Sequence, residues 1–189
     1  MSPASRSGAG VLLRKFLRGD FPLLKKWIAD ERACAQWSGP NFTHPLDDGQ
    51  LEGYYLSTSD GPGPDAAFTC VLRGTGTAVG HIALRFIDPV KKTGVLQFVL
   101  IGDKENRGRG MGTGMVRLAV SYGFREIGLE KITLRVFDFN TAAIRCYEAA
   151  GFTRAEKFET RYEFRGKKET WKGYGMELSR EVWDRFRLR

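Results

Sequence analysis

The stretch 98-FVLIGDKENRGRGMGTGM-115 runs from an apolar segment through a charged turn into glycines at every second position, Gly108, Gly110, Gly112 and Gly114, with Arg107 and Arg109 among them. The next segment, 113-TGMVRLAVSYGFREIG-128, reads as a helix, with apolar residues at Val116, Ala119, Val120 and Phe124. Glycine inside a helix gives up about 1 kcal/mol relative to alanine. Four of them at a helix start imply that the backbone itself must come close to something. A glycine-rich turn feeding a helix N-terminus suits a phosphate group: free N–H groups point outward, the helix end carries partial positive charge, and no Cβ blocks the approach. Guanidinium groups at Arg107 and Arg109 suit phosphate oxygens.

Two common phosphate loops do not fit. No lysine follows the glycines, so the GxxxxGK[ST] pattern is absent. For GxGxxG the third glycine falls on Thr113 or Met115, and the loop lies after several strands rather than opening a βαβ unit.

On either side of the loop and its helix, 94-GVLQFVLIG-102 reads as the strand entering and 131-KITLRVFDF-139 as the strand leaving. Upstream, 10-GVLLRKFL-17 reads as a strand, with Asp20 capping a helix over 21-FPLLKKWIAD-30. Residues 31–65 are polar, aromatic and irregular apart from a helix over 46-LDDGQLEGYYLS-57. Segments 66-AAFTCVLRG-74 and 77-TAVGHIALRFID-88 form a hairpin around Gly74–Gly76. Downstream, 140-NTAAIRCYEAAG-151 is a helix with an Asn cap and a terminal glycine. Residues 152–178 form a hairpin turning at Arg165-Gly166-Lys167, and 179-SREVWDRF-186 a last short helix. The order is β-α-α-β-β-β-α-β-α-β-β, a single α/β domain over residues 10–189 behind a flexible leader, residues 1–9.

Composition narrows the function classes. The chain has 189 residues, 42% hydrophobic and 28% charged, enough for one buried core. It holds no apolar run of membrane-spanning length, and MSPASRSGAG has no apolar signal core, so no membrane partner and a cytoplasmic location are expected. An odd set of cysteines, Cys34, Cys70 and Cys146, without CxxC agrees with a reducing compartment. His44 and His81 lack cysteines at ligand spacing, so no metal site is expected. The net charge of +8 favours an anionic partner. In the C-terminal hairpin, however, basic residues alternate with Glu156, Glu159, Glu163 and Glu169, which argues for cross-strand pairs over a nucleic-acid surface.

The pattern that does fit the loop is Arg-x-x-Gly-x-Gly, here Arg107-Gly108-Arg109-Gly110-Met111-Gly112, and it resembles the acetyl-CoA loop of the GNAT family of N-acetyltransferases. The resemblance continues through the next helix and strand to 140-NTAAIRCYEAAGF-152, similar to the family's second signature: Asn, small residues, a tyrosine seven positions on, then Gly-Phe. It covers residues 75–178. The final hairpin resembles the branch holding ribosomal-protein N-terminal acetyltransferases and antibiotic or polyamine acetyltransferases.

The resemblance implies a mixed, mostly antiparallel sheet flanked by helices, with a central parallel pair of strands, 94–102 and 131–138, splayed at their ends. It implies direct acetyl transfer from acetyl-CoA, as cosubstrate, to a primary amine: a peptide or ribosomal-protein N-terminus, or a small amine such as a polyamine or aminoglycoside. The pantetheine arm would pair with backbone at Val99, Leu100 and Ile101. The amides of Arg107, Gly108, Arg109, Gly110, Met111, Gly112 and Thr113 would hold the pyrophosphate. Asn140 and Ala143 would touch the arm from the other side, and Tyr147 would reach the CoA sulfur as proton donor. Dimers are frequent in relatives, so a homodimer is in keeping with the resemblance.

A tyrosine phenol titrates at about 10, so Tyr147 is protonated at neutral pH. Related enzymes often draw a glutamate base from the first splayed strand; here Leu96 stands in its place, and the polar interior residue is Gln97, which can hold a water but not take a proton. His81 titrates in the right range and is the candidate base. Cys146 reads as core, while Asp47, Asp48 and Glu52 read as helix-start acids or as a lure for a cationic acceptor. Trp37, Tyr54 and Tyr55 read as core or acceptor-pocket wall. Two alternatives are a basic RNA- or ribosome-associated module without catalysis and a catalytically silent CoA-binding domain.

Overall fold

The computed structural model describes residues 10–61 and 63–187; the leader expected at residues 1–9 lies outside them. Seven strands form one sheet: β1 (Val11–Lys15), β2 (Ala66–Leu72), β3 (Ala78–Asp88), β4 (Thr93–Ile101), β5 (Lys131–Phe137), β6 (Thr153–Phe164) and β7 (Lys167–Ser179). Their order is β1-β2-β3-β4-β5-β7-β6, and every neighbouring pair is antiparallel except β4–β5. Helices α1 (Phe21–Trp27), α2 (Glu31–Ser38) and α3 (Asp48–Thr58) contribute to a core on one face, with Phe16, Leu24, Leu51, Tyr54 and Phe98. Helices α4 (Met111–Tyr122), α5 (Thr141–Ala149) and α6 (Arg180–Arg187) supply the larger core, where Met115, Val120, Ile144 and Trp183 meet sheet residues Ile82, Leu84, Leu96 and Ile132.

Most elements follow the sequence pattern. Asn140 caps α5, its Oδ1 accepting from the Ala143 amide at 3.3 Å, and Gly151 follows at φ 102°. The last hairpin turns through Arg165 and Gly166, both at positive φ, the geometry a two-residue hairpin loop requires.

Three expectations change. The first helix stops at Trp27, and a separate helix, α2, follows it within the region read as irregular. Asp30 starts α2 as its N-cap, accepting from the Ala33 amide at 2.8 Å. The helix after the glycine loop begins two residues early, at Met111, and continues past Tyr122 as a wide π turn, Gly123–Ile127.

The third change concerns Asp20, which does not cap α1 with its side chain. Arg14 and Thr69 face each other in the β1–β2 register, so both side chains leave the sheet on one side. Asp20 Oδ1 and Oδ2 take Arg14 Nη2 and Nη1, each at 2.7 Å, and Oδ2 also accepts from Thr69 Oγ1 at 2.7 Å and the Leu17 amide at 3.0 Å. Burial opposes the charge, but the bonds from Arg14, Thr69 and Leu17 prevail and hold the carboxyl below its usual range. Asp20 is 5% exposed, so a substitution strands Arg14 and Thr69. Asp20→Ala should cost about 2–3 kcal/mol in urea unfolding, the low end for a broken buried pair because Arg14 stays partly solvated. Thr69→Val should cost about 1 kcal/mol, one hydrogen bond's worth.

Candidate active site

The parallel pair β4–β5 is joined only at Thr93↔Lys131, Gly94↔Ile132 and Val95↔Thr133. Beyond that point β5 runs on with β7 as far as Phe137↔Gly173, and β4 runs on with β3 as far as Gly80↔Ile101. The edge of β4 over residues 96–101 therefore faces a gap in the middle of the sheet, with no strand to satisfy it. Within this stretch the β3–β4 register shifts between His81↔Leu100 and Ala83↔Gln97. Phe98 sits there at φ 55°. That conformation is a genuine outlier for a bulky residue and marks a β-bulge. It turns Phe98 into the α1–α3 core, where Trp37 of α2 packs against it with ring centroids 5.2 Å apart. Val99 and Ile101 lean instead on the larger core, and Leu100 on the smaller.

At the end of β4 the chain reaches the glycine loop. Gly108 (φ 74°) and Gly110 (φ 76°) take left-handed conformations, and Gly110 is the N-cap of α4. No side chain caps that helix, and its first recurring bond is Gly114 N–H to Gly110 O at 3.0 Å. The amides of Met111, Gly112 and Thr113 precede that bond, so they form the donor set of the helix end. A Cβ on Gly112 would meet Cys146 Sγ at 3.4 Å and Ile101 Cγ1 at 3.7 Å, so this glycine also sets how closely α4 approaches α5 and β4. The loop residues fit a pyrophosphate: an uncapped helix N-terminus, exposed glycines and exposed Arg109.

Arg107 differs from expectation. Its Nε donates to Ile101 O at 3.2 Å and its Nη2 to Gly102 O at 3.1 Å. Its amide donates to Lys104 O at 3.1 Å. The side chain fastens the loop to the end of β4 rather than standing free for a ligand.

Tyr147 projects from α5 and is 6% exposed. Burial, assisted by Cys146, raises its phenol above the usual value, so it stays protonated throughout the working pH range. Among the described residues nothing hydrogen-bonds its hydroxyl. Asn140 and Ala143 lie at the start of the same helix, and Ala143 packs on the larger core. Cys146 faces Thr113 Oγ1 at 3.5 Å, and burial pushes its thiol up, as expected of a packing residue between α4 and α5.

His81 is not brought to this gap as a usable base. It is 1% exposed, its Nε2 is 2.8 Å from Tyr54 Oη, and its ring meets Phe16 edge-on at 4.8 Å. Burial, opposed weakly by Asp20, takes its pKa down to about 3. A ring that weakly basic holds no proton drawn from an amine. Gln97 is better placed by chemistry: its Oε1 on β4 is buried with no donor among the described residues. The early acids are largely engaged, Asp47 capping α3, Asp48 paired with Lys25 at 2.8 Å and Glu52 with Arg18 at 2.6 Å.

A second group of residues was not visible in sequence. Arg32 of α2 reaches Glu169 of β7 at 2.7 Å and lies over the rings of Phe164 and Trp171 at 5.0 and 5.4 Å. Trp171 Nε1 donates to the other Glu169 oxygen at 3.0 Å. The Arg32 and Trp171 bonds bring the Glu169 carboxyl down to about 2. These contacts join residues 137 apart in sequence, so the helix-cap signal at Asp30 was the one local hint.

Comparison with known proteins agrees with this geometry. A profile of the acetyltransferase (GNAT) domain matches residues 11–153. An aminoglycoside N(6')-acetyltransferase type 1 from Klebsiella pneumoniae is 29% identical over 163 residues, 81% of this chain and 79% of that protein, and one from Serratia marcescens matches equally. Among solved structures, spermidine N-acetyltransferase from Vibrio cholerae in complex with CoA and spermine superposes with a TM-score of 0.77 at 20% identity, over 92% of this chain and 98% of that one. The chain belongs to the GNAT acetyltransferase family and is an acyltransferase with acetyl-CoA as cosubstrate. The finer placement with ribosomal-protein acetyltransferases finds no support in these relatives. No helix among the described residues is long and apolar enough to cross a membrane.

The buried imidazole makes stability depend on pH. The unfolded chain binds a proton at His81 below about 6.5, while the folded chain does so only near about 3. The stabilising contribution is complete above the unfolded value and is lost as pH falls through that window. The melting temperature should drop between about pH 7 and pH 5, before most carboxylates titrate. His81→Gln, which keeps a partner for Tyr54, should flatten that slope; an equal slope in both proteins would assign the loss to other groups.

Proposed function

We propose that this member of the GNAT family acetylates a primary amine of a small polycationic acceptor, of the polyamine or aminoglycoside kind. The observation that carries the site is the unpaired edge of β4 beside the uncapped N-terminus of α4. Acetyl-CoA supplies the thioester. The amides of the glycine loop and the first turn of α4 hold its pyrophosphate, while backbone at Val99, Leu100 and Ile101 receives the pantetheine arm. Asn140 and Ala143 close the other side. Amides along the open β4 edge act as fixed donors to the carbonyl oxygen where negative charge develops, and such preorganised donors are worth several kcal/mol.

Tyr147 is the proton donor to the departing sulfur. Its burial keeps the phenol protonated, and its hydroxyl is uncommitted to other described residues. For the base we assign a water accepting the amine proton while donating to Gln97 Oε1, a buried carbonyl that lacks a protein donor. Glutamine orients such a water without taking the proton itself.

The acceptor class rests on the named relatives. Residues 28–60, which hold α2 and α3, contain six acids, Asp30, Glu31, Asp47, Asp48, Glu52 and Asp60; Asp48 is matched by Lys25 and Glu52 and Asp60 by Arg18, which leaves Asp30, Glu31 and Asp47 outside those pairs. This layer covers the sheet face opposite α4 and α5. The relatives act, by their names, on aminoglycosides and spermidine. A cytoplasmic location remains our proposal, resting on the free cysteines Cys34, Cys70 and Cys146. A homodimer remains equally open to measurement.

The test is CoA thiol release, corrected for hydrolysis, across spermidine, kanamycin, n-butylamine and a peptide with a free N-terminus. Turnover should be highest with the polycations; preference for the peptide would overturn the acceptor class. Tyr147→Phe should lower kcat by about 10²–10³-fold with little change in the KM for acetyl-CoA, in line with loss of general-acid help. Unchanged kcat would remove Tyr147 from the mechanism.

A further inference from the structure

Between the start of α2 and the β6–β7 hairpin lies a cavity of about 410 Å³ lined by Asp30, Arg32, Ala33, Gln36, Phe139 and Trp171. We infer that this cavity is a subsite for a second alkylammonium group of the acceptor, one that is held while another nitrogen reacts. The inference rests on the polycationic-amine reading above and adds to it the residues that select for a second charge.

The walls have the chemistry of ammonium recognition. The Phe139 and Trp171 rings stand nearly perpendicular, at 83°, with centroids 5.1 Å apart, so they form an aromatic corner. Phe139 is 49% exposed, unusual for an aromatic ring packed on its neighbours, and it offers its surface to the cavity. Aromatic faces attract alkylammonium groups through the ring quadrupole.

The one cation in the lining does not oppose this. Arg32 is bonded to Glu169 at 2.7 Å, and its Cζ lies over the Phe164 and Trp171 rings at 5.0 and 5.4 Å. Glu169 is bound on both oxygens and stays an anion at any working pH, so the Arg32 charge is matched. Asp30 is a second carboxylate that acts on Arg32 at longer range, while Lys167 acts on Glu169. One of the Asp30 oxygens caps α2 through the Ala33 amide, and Asp30 belongs to no ion pair within 4.0 Å among the described residues. The N-terminus of α2 places roughly half a positive charge nearby, less than the full negative charge of the carboxylate. Asp30 Oδ2 is the carboxylate oxygen at the cavity that no described residue bonds.

The cavity lies beside elements that border the gap. Phe139 immediately precedes Asn140, the residue that opens α5. Asp30 and Trp37 are seven residues apart on α2, about 10 Å at the helical rise, and Trp37 packs on the β4 bulge at Phe98. An acceptor with a second ammonium group on a chain beyond its reacting nitrogen can reach both. A triamine, tetramine or aminoglycoside can do so, and a monoamine cannot.

The experiment is calorimetric titration of spermine and of n-butylamine into the full chain with CoA present, for wild type, Asp30→Asn and Phe139→Leu. Asparagine caps a helix as well as aspartate, so Asp30→Asn removes the charge and leaves α2 in place. Spermine should bind about tenfold more weakly to Asp30→Asn, and about threefold more weakly to Phe139→Leu, which keeps an apolar wall without the π face. Affinities for n-butylamine and for acetyl-CoA should not move. Equal spermine affinity in wild type and Asp30→Asn overturns the subsite, as does a wild type that binds no spermine. If acetyl-CoA still binds and n-butylamine is still acetylated in that case, the acetyltransferase reading stands without the subsite. Failure of wild type to bind acetyl-CoA removes the underlying reading and the subsite with it.

Discussion

A strand in the middle of a sheet must satisfy its backbone on both edges, and β4 does so on one side only beyond Val95. Buried N–H and C=O groups left without partners cost about as much as the hydrogen bonds they forgo. Residues 96–101 therefore need a partner that the fold itself does not provide. The parting of β4 from β5 is enforced from both sides: β7 draws β5 along its length, and β3 keeps β4. The glycine loop and α4 begin where β4 ends, and α5 begins where β5 ends, so both helix starts converge on the opening. The bulge at Phe98 is the remaining device. It accepts an unfavourable φ to turn one side chain out of register and lock α2 onto the strand beside the gap.

The two faces of the sheet divide the work. The α4–α5 face presents backbone amides, glycines and Arg109, a surface for an anionic ligand. The α1–α3 face carries six acids within residues 28–60, and Lys25 and Arg18 of the same face pair with Asp48, Glu52 and Asp60. The net charge of +8 is partly matched within the C-terminal hairpin and its neighbours, where Lys172 pairs with Glu159 at 3.4 Å and Arg154 with Glu148 at 3.0 Å.

The features legible in sequence were local. The glycine loop, the Asn140 cap and the apolar runs of β2 to β5 are set by residues within a few positions of one another, and each stands where the pattern put it. The features that escaped depended on distant partners. Asp20 has the right type and place for a helix cap, yet Thr69 and Arg14 claim its oxygens because β1 and β2 pair in that register. His81 has an ordinary titration range in isolation and loses it beneath Phe16, Tyr54 and Trp37. Helix α2 is short, and its anchoring residues, Arg32 and Trp37, find their partners on β7 and β4. No windowed pattern could report those contacts.

The glycine loop and the start of α4 stand at the centre of the mechanism as the acetyl-CoA cradle, and calorimetric titration of acetyl-CoA into wild type and Gly110→Trp tests that role most directly. Gly110 holds φ 76°, which a side chain tolerates poorly, and an indole there would stand over the open helix end. Wild type should show one saturable site per chain and the variant no measurable binding, with the far-ultraviolet spectrum unchanged. Equal affinity in the two proteins would place the cosubstrate elsewhere and contradict the cradle.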